Sequence, residues 1–193
     1  MSITFPCSLR SGLVPVLAFL ALPACEGDLG LPPAQIPIAQ QQITLYALTG
    51  TPVNTSSAYS MINLAEVRTD LSNEFDFAFD IRDTLGGRQA YLLPRGDLGF
   101  VPDGGLQRTT IPFDSLLFAP TTGYEDVRPT PIDSGAVLIA ASRRQQCDFR
   151  ISSPRYAKLL VLSLDYTTRV AVIRVVIDPN CGYRSLGSGI PTE

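Results

Sequence analysis

Residues 74–82, EFDFAFDIR, alternate strictly between apolar and polar or small side chains. Phe75, Phe77, Phe79 and Ile81 recur at every second position. A β-strand places such residues on one face of a sheet, whereas a helix would spread them around its circumference. The segment therefore predicts a strand whose aromatic face packs on a core and whose acidic face is exposed.

The longest strand signals lie at residues 156–166 and 169–178, which are both rich in Val, Leu and Ile. Thr167-Thr168 separates them as a tight turn, so the two segments are predicted to form a β-hairpin. Pairing about that turn places Asp178 opposite residue 157. Residues 135–142, GAVLIAAS, are apolar on both faces and predict a central strand covered on two sides.

Shorter strand candidates lie at residues 42–48, 58–65, 88–93, 106–111 and 115–118. We expect about seven or eight strands in the fold. Frequent turns and the lack of a convincing amphipathic helix predict an all-β fold with little helix, as an antiparallel β-sandwich or Greek-key barrel. We expect one β domain over residues 42–181, because 193 residues are short for two cores. Residues 182–193 are predicted to form a flexible C-terminal tail.

The N-terminal region contains an apolar run at residues 13–24, LVPVLAFLALPA, directly before Cys25. The run is too short to cross a hydrocarbon layer of about 30 Å and has the length of a signal-peptide core. Its end, Leu22-Pro23-Ala24-Cys25, resembles the lipobox of bacterial lipoproteins. This resemblance implies a signal peptide over residues 1–24, cleavage before Cys25 and lipidation of its thiol. The alternatives are an ordinary signal peptide cut near Ala24 and a segment retained as an uncleaved anchor.

Residues 26–41, EGDLGLPPAQIPIAQQ, are rich in Pro, Gly and Gln. Such a composition disfavours packed structure, so residues 25–41 are predicted to form a lipidated Cys25 followed by a flexible tether. At polyproline spacing, the tether would hold the domain roughly 40–50 Å from the membrane. We therefore expect a location in the bacterial cell envelope, with the membrane as one partner.

The chain has four cysteines, at positions 7, 25, 147 and 181. Cys7 would leave with the signal peptide and Cys25 would carry lipid. The remaining pair, Cys147 and Cys181, is predicted to form a disulfide, because exported proteins fold in an oxidising compartment. The alternative is two buried free thiols.

Composition excludes several classes of chemistry. The chain contains no histidine, which removes Ser-His-Asp and Cys-His catalytic sites and zinc sites that contain histidine. A formal net charge of -3 argues against nucleic acid as a partner. We expect neither enzyme activity, nor a cofactor, nor a bound metal.

Two motifs favour an alternative assignment as a carboxylate-based hydrolase. Asp133-Ser134-Gly135-Ala136 resembles the D-S/T-G-A motif of retropepsin-type aspartic proteases, although D-S-G is also a common turn into a strand. Glu74, Asp76 and Asp80 share the acidic face of the 74–82 strand, and adjacent members of this set have a separation found in inverting glycosidases, although acidic rows also keep exposed strand faces soluble.

A structural calcium ion is the one metal that the side chains permit, through Asp97, Asp103, Glu125 and Asp126, which show no ordered ligand spacing. The best-supported prediction for the whole chain is a non-enzymatic, membrane-anchored envelope lipoprotein that serves as a binding or structural module. A variant makes it an accessory subunit of a membrane assembly, with a protein or another envelope component as partner. The alternative from a different class is a carrier of lipid or another apolar ligand, with Phe75, Phe77 and Phe79 lining a cavity.

Overall fold

Antiparallel strands make up nearly all of the regular structure in residues 33–148 and 151–191, which the computed structural model describes. The signal peptide, Cys25 and the first part of the predicted tether lie outside these residues. Two short 3-10 helices, Arg95–Leu98 and Phe113–Ser115, interrupt the strands. The strands are β1 (Ala39–Tyr46), β2 (Ala58–Ser60), β3 (Ala65–Val67), β4 (Phe77–Thr84), β5 (Gly87–Pro94), β6 (Gly105–Thr109), β7 (Thr130–Ile132), β8 (Val137–Ala141), β9 (Gln145–Asp148), β10 (Ile151–Ser153), β11 (Tyr156–Asp165) and β12 (Val170–Ile177).

The prediction of an all-β fold is confirmed, and the arrangement is a sandwich of two five-stranded sheets. One sheet has the order β1-β12-β11-β8-β6 and the other β3-β2-β4-β5-β7, while β9 and β10 form a separate hairpin. The predicted number of seven or eight strands was too low, because twelve strands occur in the described residues. Part of the excess arises where a turn splits the 58–65 segment into β2 and β3, and part from short strands such as β7 that carry little pattern.

The core fills the space between the two sheets. Every second residue of strand β12 faces this core: Ala171, Ile173, Val175 and Ile177 are all fully buried. Strand β4 contributes Phe77, Phe79 and Ile81 to the same cluster from the facing sheet. Burial of each such side chain stabilises the fold by roughly 1.5–3 kcal/mol before conformational entropy is counted.

The prediction that Phe75 shares a face with Phe77, Phe79 and Ile81 was wrong. Phe75 precedes β4 and packs in a second cluster with Ala78 and Leu93, on the outer face of its sheet. Phe100 covers this outer face and meets Phe75 edge to face at 5.6 Å between ring centroids. The outer face is therefore buried as well, and the acidic side chains of β4 do not all face solvent.

The predicted hairpin of β11 and β12 is confirmed, with a register change. Leu162 bulges out of β11 between Val161 and Ser163. The bulge shifts the pairing by one residue, so Ala157 lies opposite Ile177 rather than Asp178. A bulge bends a strand and strengthens its twist, and its presence is not evident in the hydrophobic pattern.

The predicted central strand is also confirmed. Strand β8 lies between β11 and β6, with Leu138 and Ala140 in the inter-sheet core. Ile139 and Ala141 point to the opposite face, where they form a third cluster with residues that include Leu116, Tyr156 and Leu186.

Both ends of the domain extend beyond the predicted bounds. Strand β1 begins at Ala39, inside the stretch that was expected to be a tether. At the other end, Leu186 is fully buried and its amide donates to the carbonyl of Leu117 at 2.7 Å. Residues 182–191 therefore do not form the free tail that was predicted, because Leu186 fills an apolar site on the outer face of a sheet. The predicted strand at 115–118 is replaced by a 3-10 helix and an isolated bridge between Phe118 and Ser185.

The predicted disulfide between Cys147 and Cys181 is confirmed, with 5.6 Å between the Cα atoms. It joins strand β9 to the segment that follows β12. Gly182 continues the contact, since its amide donates to the carbonyl of Pro154 at 3.1 Å. The covalent bond thus ties the open end of the β11–β12 hairpin to the neighbouring strand β9.

Candidate functional site

A polar cleft of about 340 Å³ lies at the same end of the sandwich as the disulfide. It forms where the end of β8 and the start of β11 meet two loops, 102–104 and 121–126. Its lining residues are Pro102, Asp103, Gly104, Thr121, Tyr124, Asp126, Ala141, Ser142, Arg144, Pro154 and Tyr156.

A pair of glycines brings the first loop against β8. Gly104 has a φ of +82°, and a Cβ atom there would lie 2.3 Å from the carbonyl oxygen of Ala141. Only glycine permits this approach of backbone to backbone. The approach places Asp103 at the cleft, where its Oδ2 accepts a hydrogen bond from the backbone amide of Arg144 at 2.9 Å.

Two tyrosines form an aromatic wall of the cleft. The ring centroids of Tyr124 and Tyr156 lie 6.1 Å apart, with the planes tilted by 41°. The Tyr124 hydroxyl donates to the carbonyl of Pro120 at 2.8 Å. Burial raises the pKa of Tyr124 and of Tyr156, with nearby arginine side chains opposing the effect at Tyr156. Both phenols therefore stay protonated at neutral pH and keep their hydrogen-bonding capacity.

Charged groups of both signs surround this wall. Asp103 and Asp126 supply carboxylates, and the exposed Arg144 supplies a guanidinium that makes no hydrogen bond or ion pair with another described residue. Arg184 lies just outside the lining and donates to the carbonyl of Ala119 at 3.1 Å. The cleft thus combines acceptors, donors and aromatic surface without a large charge imbalance.

The hydroxyl of Ser142, which lines the cleft, makes its hydrogen bonds with the backbone. Ser142 is fully buried, and its Oγ donates to the carbonyl of Arg143 at 2.7 Å. The same Oγ accepts from the amide of Arg155 at 2.8 Å. These contacts fix the chain between β8 and β11 and give Ser142 a structural role. The arrangement of the cleft suits binding.

The acidic residues of the 74–82 segment were expected on an exposed face, and the structure corrects this for two of them. Asp76 is 3% exposed and accepts from the amide of Met61 at 2.6 Å and the amide of Arg143 at 2.8 Å. Glu74 is exposed and pairs with the Arg143 guanidinium at 2.6 Å. The carboxylates of Glu74 and Asp76 therefore both pair with the side chain of Arg143.

Asp80 is also buried and serves the neighbouring turn. It accepts from the amide of Thr49 at 3.0 Å and from the hydroxyl of Thr49 at 2.8 Å. Arg169 lies 3.9 Å away as a counter-ion. The three acids considered for glycoside hydrolysis are therefore occupied by backbone amides, hydroxyls or arginines.

Asp133 lies in the turn that leads into β8. The amide of Ala136 donates to its carbonyl at 3.0 Å, and Gly135 has a φ of +86°. The Asp133 side chain is 64% exposed and lies 3.5 Å from Arg108. The geometry is that of a turn into a strand, as the alternative interpretation of the motif expected.

The four acids considered for calcium do not converge. Asp97 pairs with Arg82 at 2.5 Å, and Glu125 pairs with Arg128 at 2.5 Å. Asp103 and Asp126 are the two that line the cleft. Within residues 33–148 and 151–191, no three His, Cys, Asp or Glu side chains are grouped closely enough to hold a metal ion.

The aromatic residues proposed to line a carrier cavity are packed in filled clusters. Phe77 and Phe79 belong to the core between the sheets, whereas Phe75 belongs to the outer cluster. Each is at most 1% exposed. The three rings therefore do not surround a common cavity.

The comparisons with known proteins give no relationship. No protein-family model matches the chain, and no curated protein matches it.

In the part of the chain that is described, no helix combines the length and the apolar character needed to cross a membrane.

Sequence reasoning identified only part of the cleft. Asp103 and Asp126 were considered as calcium ligands, but Tyr124, Arg144 and Tyr156 were not recognised as site residues. The Gly104-Gly105 pair is the one local signal that could have indicated a close approach of two backbones at this place.

Proposed function

We propose that the chain is a bacterial envelope lipoprotein whose β-sandwich is a non-enzymatic binding module held at a membrane by a lipid on Cys25. The observation that carries this proposal is the Cys147–Cys181 disulfide, since such bonds form and persist in oxidising compartments outside the cytosol. The lipobox-like sequence before Cys25 supplies the anchor.

The way in which the N-terminal segment meets the domain supports the same proposal. The side-chain oxygen of Asn180 accepts from the amides of Gln35 and Ile36, both at 3.1 Å. The Asn180 amide group donates to the carbonyl of Ile36 at 2.7 Å. Further along, the amide of Ile38 donates to the carbonyl of Gly189 at 2.9 Å. The chain that leads back to Cys25 is thus fixed to the domain beside the disulfide.

This attachment shortens the expected distance to the membrane. Pro33, where the described chain begins, comes eight residues after Cys25. Even fully extended, these eight steps span at most about 26–29 Å, compared with the roughly 40–50 Å expected from an unattached tether. The disulfide end of the sandwich would therefore face the membrane.

The proposal is tested by the mass and location of the mature protein. The full-length chain is produced in a bacterial host that processes lipoproteins, next to a Cys25→Ser variant. We expect the unaltered chain in the membrane fraction, beginning at Cys25 and carrying the mass of its acyl chains. The variant should lack that mass. A full-length, unmodified and reduced chain in the cytosol would contradict the proposal.

A further inference from the structure

We infer that the cleft between the two loops and the β8–β11 edge is a binding site for a neutral saccharide of one or two rings. This inference rests on the proposed role of the domain as a binding module. It does not depend on the lipid anchor. The residues that carry it are Asp103, Tyr124, Asp126, Arg144 and Tyr156.

The size of the cleft selects a small ligand. Its volume of about 340 Å³ lies at the lower end of the roughly 300–1,000 Å³ that is typical of ligand sites. Carboxylates, hydroxyls and a guanidinium dominate its lining. An acyl chain placed there would leave these groups without hydrogen-bond partners, which disfavours a lipid as ligand.

The hydrogen-bonding groups match those of a polyhydroxylated ring. The carboxylates of Asp103 and Asp126 can only accept hydrogen bonds, and the guanidinium of Arg144 can only donate. A sugar hydroxyl does both, so a polyhydroxylated ring offers hydrogen-bond partners to all three kinds of group. Hydrogen bonds between neutral hydroxyls and charged groups are also stronger than those between neutral partners.

The charges favour an ionic ligand of neither sign. Asp103 and Asp126 repel an anion that Arg144 and Arg184 attract, and the reverse holds for a cation. The opposing charges therefore give an ion no net advantage over a neutral ligand.

The tyrosine wall supplies the remaining contact. Tyr124 is partly exposed and offers ring surface beside polar groups, while the buried Tyr156 packs against it with 6.1 Å between the ring centroids. Rings of this kind combine an apolar surface with a polar hydroxyl, which suits a ligand that has C–H bonds on its faces and hydroxyls on its edges.

The test uses the purified full-length chain and saturation-transfer NMR. The probes are glucose, N-acetylglucosamine, maltose and N,N′-diacetylchitobiose as neutral saccharides, glucuronate as an anion, glucosamine as a cation, and palmitate as a lipid. We expect transfer to at least one neutral saccharide and weaker or no transfer to the others. Failure of all four neutral probes would overturn the inference, as would a preference for glucuronate, glucosamine or palmitate.

Three variants locate the site, and a fourth serves as control. Asp126→Ala, Arg144→Ala and Tyr124→Ala should each weaken binding of the neutral probe at least fivefold. Asp133→Ala removes an exposed carboxylate that is not part of the cleft lining and should leave affinity unchanged. Thermal unfolding of each variant confirms that it is folded. Equal affinity in all four variants would show that the saccharide binds elsewhere.

The outcome is separable from that of the proposed function. The Cys25→Ser chain should bind the same saccharide with the same affinity, because every residue of the cleft lining is unchanged. A chain that is lipidated but binds no neutral saccharide refutes the inference and leaves the anchor intact. A chain that binds the saccharide but carries no lipid supports the cleft and contradicts the anchor.

Discussion

The carboxylate of Asp76 joins parts of the chain that are distant in sequence. It accepts from the amide of Met61, which follows β2, and from the amide and the Nε of Arg143, which follows β8. Strand β2 belongs to one sheet and β8 to the other. Asp76 therefore ties the two sheets together at one end of the sandwich, and its burial reflects this structural role.

Replacement of Asp76 by alanine should destabilise the protein strongly. The change leaves two backbone amides without an acceptor and removes one of the two carboxylates that neutralise the partly buried Arg143. Breaking a buried ion pair in this way costs about 3–5 kcal/mol. Urea unfolding of the purified chain measures the difference. As a matched control, Asp133→Ala on an exposed turn should change the free energy of unfolding by less than about 0.5 kcal/mol. Equal effects of the two changes would contradict the role given to Asp76.

Asp178 is a second buried carboxylate, and it should give the protein a particular pH dependence. Its Oδ1 accepts from the backbone amide and the side-chain amide of Asn180, whereas its Oδ2 has no hydrogen-bond partner among the described residues. Burial raises the pKa of Asp178 above its usual value of 3.8. The folded state thus favours the protonated form, so this contribution to stability is complete below the unfolded pKa and is lost as pH rises through the folded pKa.

An Asp178→Asn variant tests this sign. Asparagine cannot ionise, so the variant should gain stability relative to the unaltered chain as pH rises from about 3.5 to 7. Denaturant unfolding of both proteins at several pH values gives the difference. A difference that stays constant with pH, or that changes in the opposite direction, would show that Asp178 does not titrate as inferred.

At the scale of elements, hydrophobic periodicity predicted the strands well and their surroundings poorly. Strands β4, β8, β11 and β12 were recognised because alternation or a doubly apolar run is a property of the local sequence. The burial of Asp80 on β4 was not, because it depends on the turn at Thr49, 31 residues away. The bulge at Leu162 was missed for a related reason, since packing in the folded sheet decides it.

The cleft was harder to predict than the strands that frame it. Its lining comes from segments near residues 103, 124, 142 and 155, and no local pattern connects them. Asp103 and Asp126 stood out as acids in Pro- and Gly-rich loops. Tyr124 and Tyr156 read as ordinary aromatic residues until the fold placed their rings 6.1 Å apart.

The C-terminal segment provides an element-scale prediction. Leu186 is fully buried in the third cluster, where it packs with Ile139 and Ala141 of β8, whereas Ile190 is 56% exposed. Leu186→Ala should lower the free energy of unfolding by about 2–5 kcal/mol, because it leaves a cavity in a packed site. Ile190→Ala should change it by less than about 0.5 kcal/mol. Chemical unfolding of the two variants checks both values, and a small effect at Leu186 would restore the interpretation of this segment as a free tail.

At the scale of the whole molecule, one end of the sandwich collects the structural bonds that involve the termini. The disulfide links β9 to Cys181, the next residue to Asn180, which holds the segment at Gln35 and Ile36. Gly189 holds Ile38 from the same C-terminal region. The covalent bond, the entering N-terminal chain and the C-terminal segment therefore form one connected unit beside the polar cleft.

This connection predicts that loss of the disulfide acts on the N-terminal attachment as well as on global stability. In a Cys147→Ser, Cys181→Ser double variant, a loop closed over a sequence separation of 34 is opened, which costs about 3–4 kcal/mol in the loop-entropy model. Asn180 loses the covalent restraint on its neighbour, so the amides of Gln35 and Ile36 should exchange with solvent faster. Hydrogen exchange read by mass spectrometry measures this, with the β11–β12 hairpin as internal reference. If opening of the attachment is local, exchange at residues 35–36 rises more than exchange in the hairpin under native conditions. A uniform rise across both regions would mean that the bond stabilises the sandwich as a whole and does not specifically hold the chain that leads to Cys25.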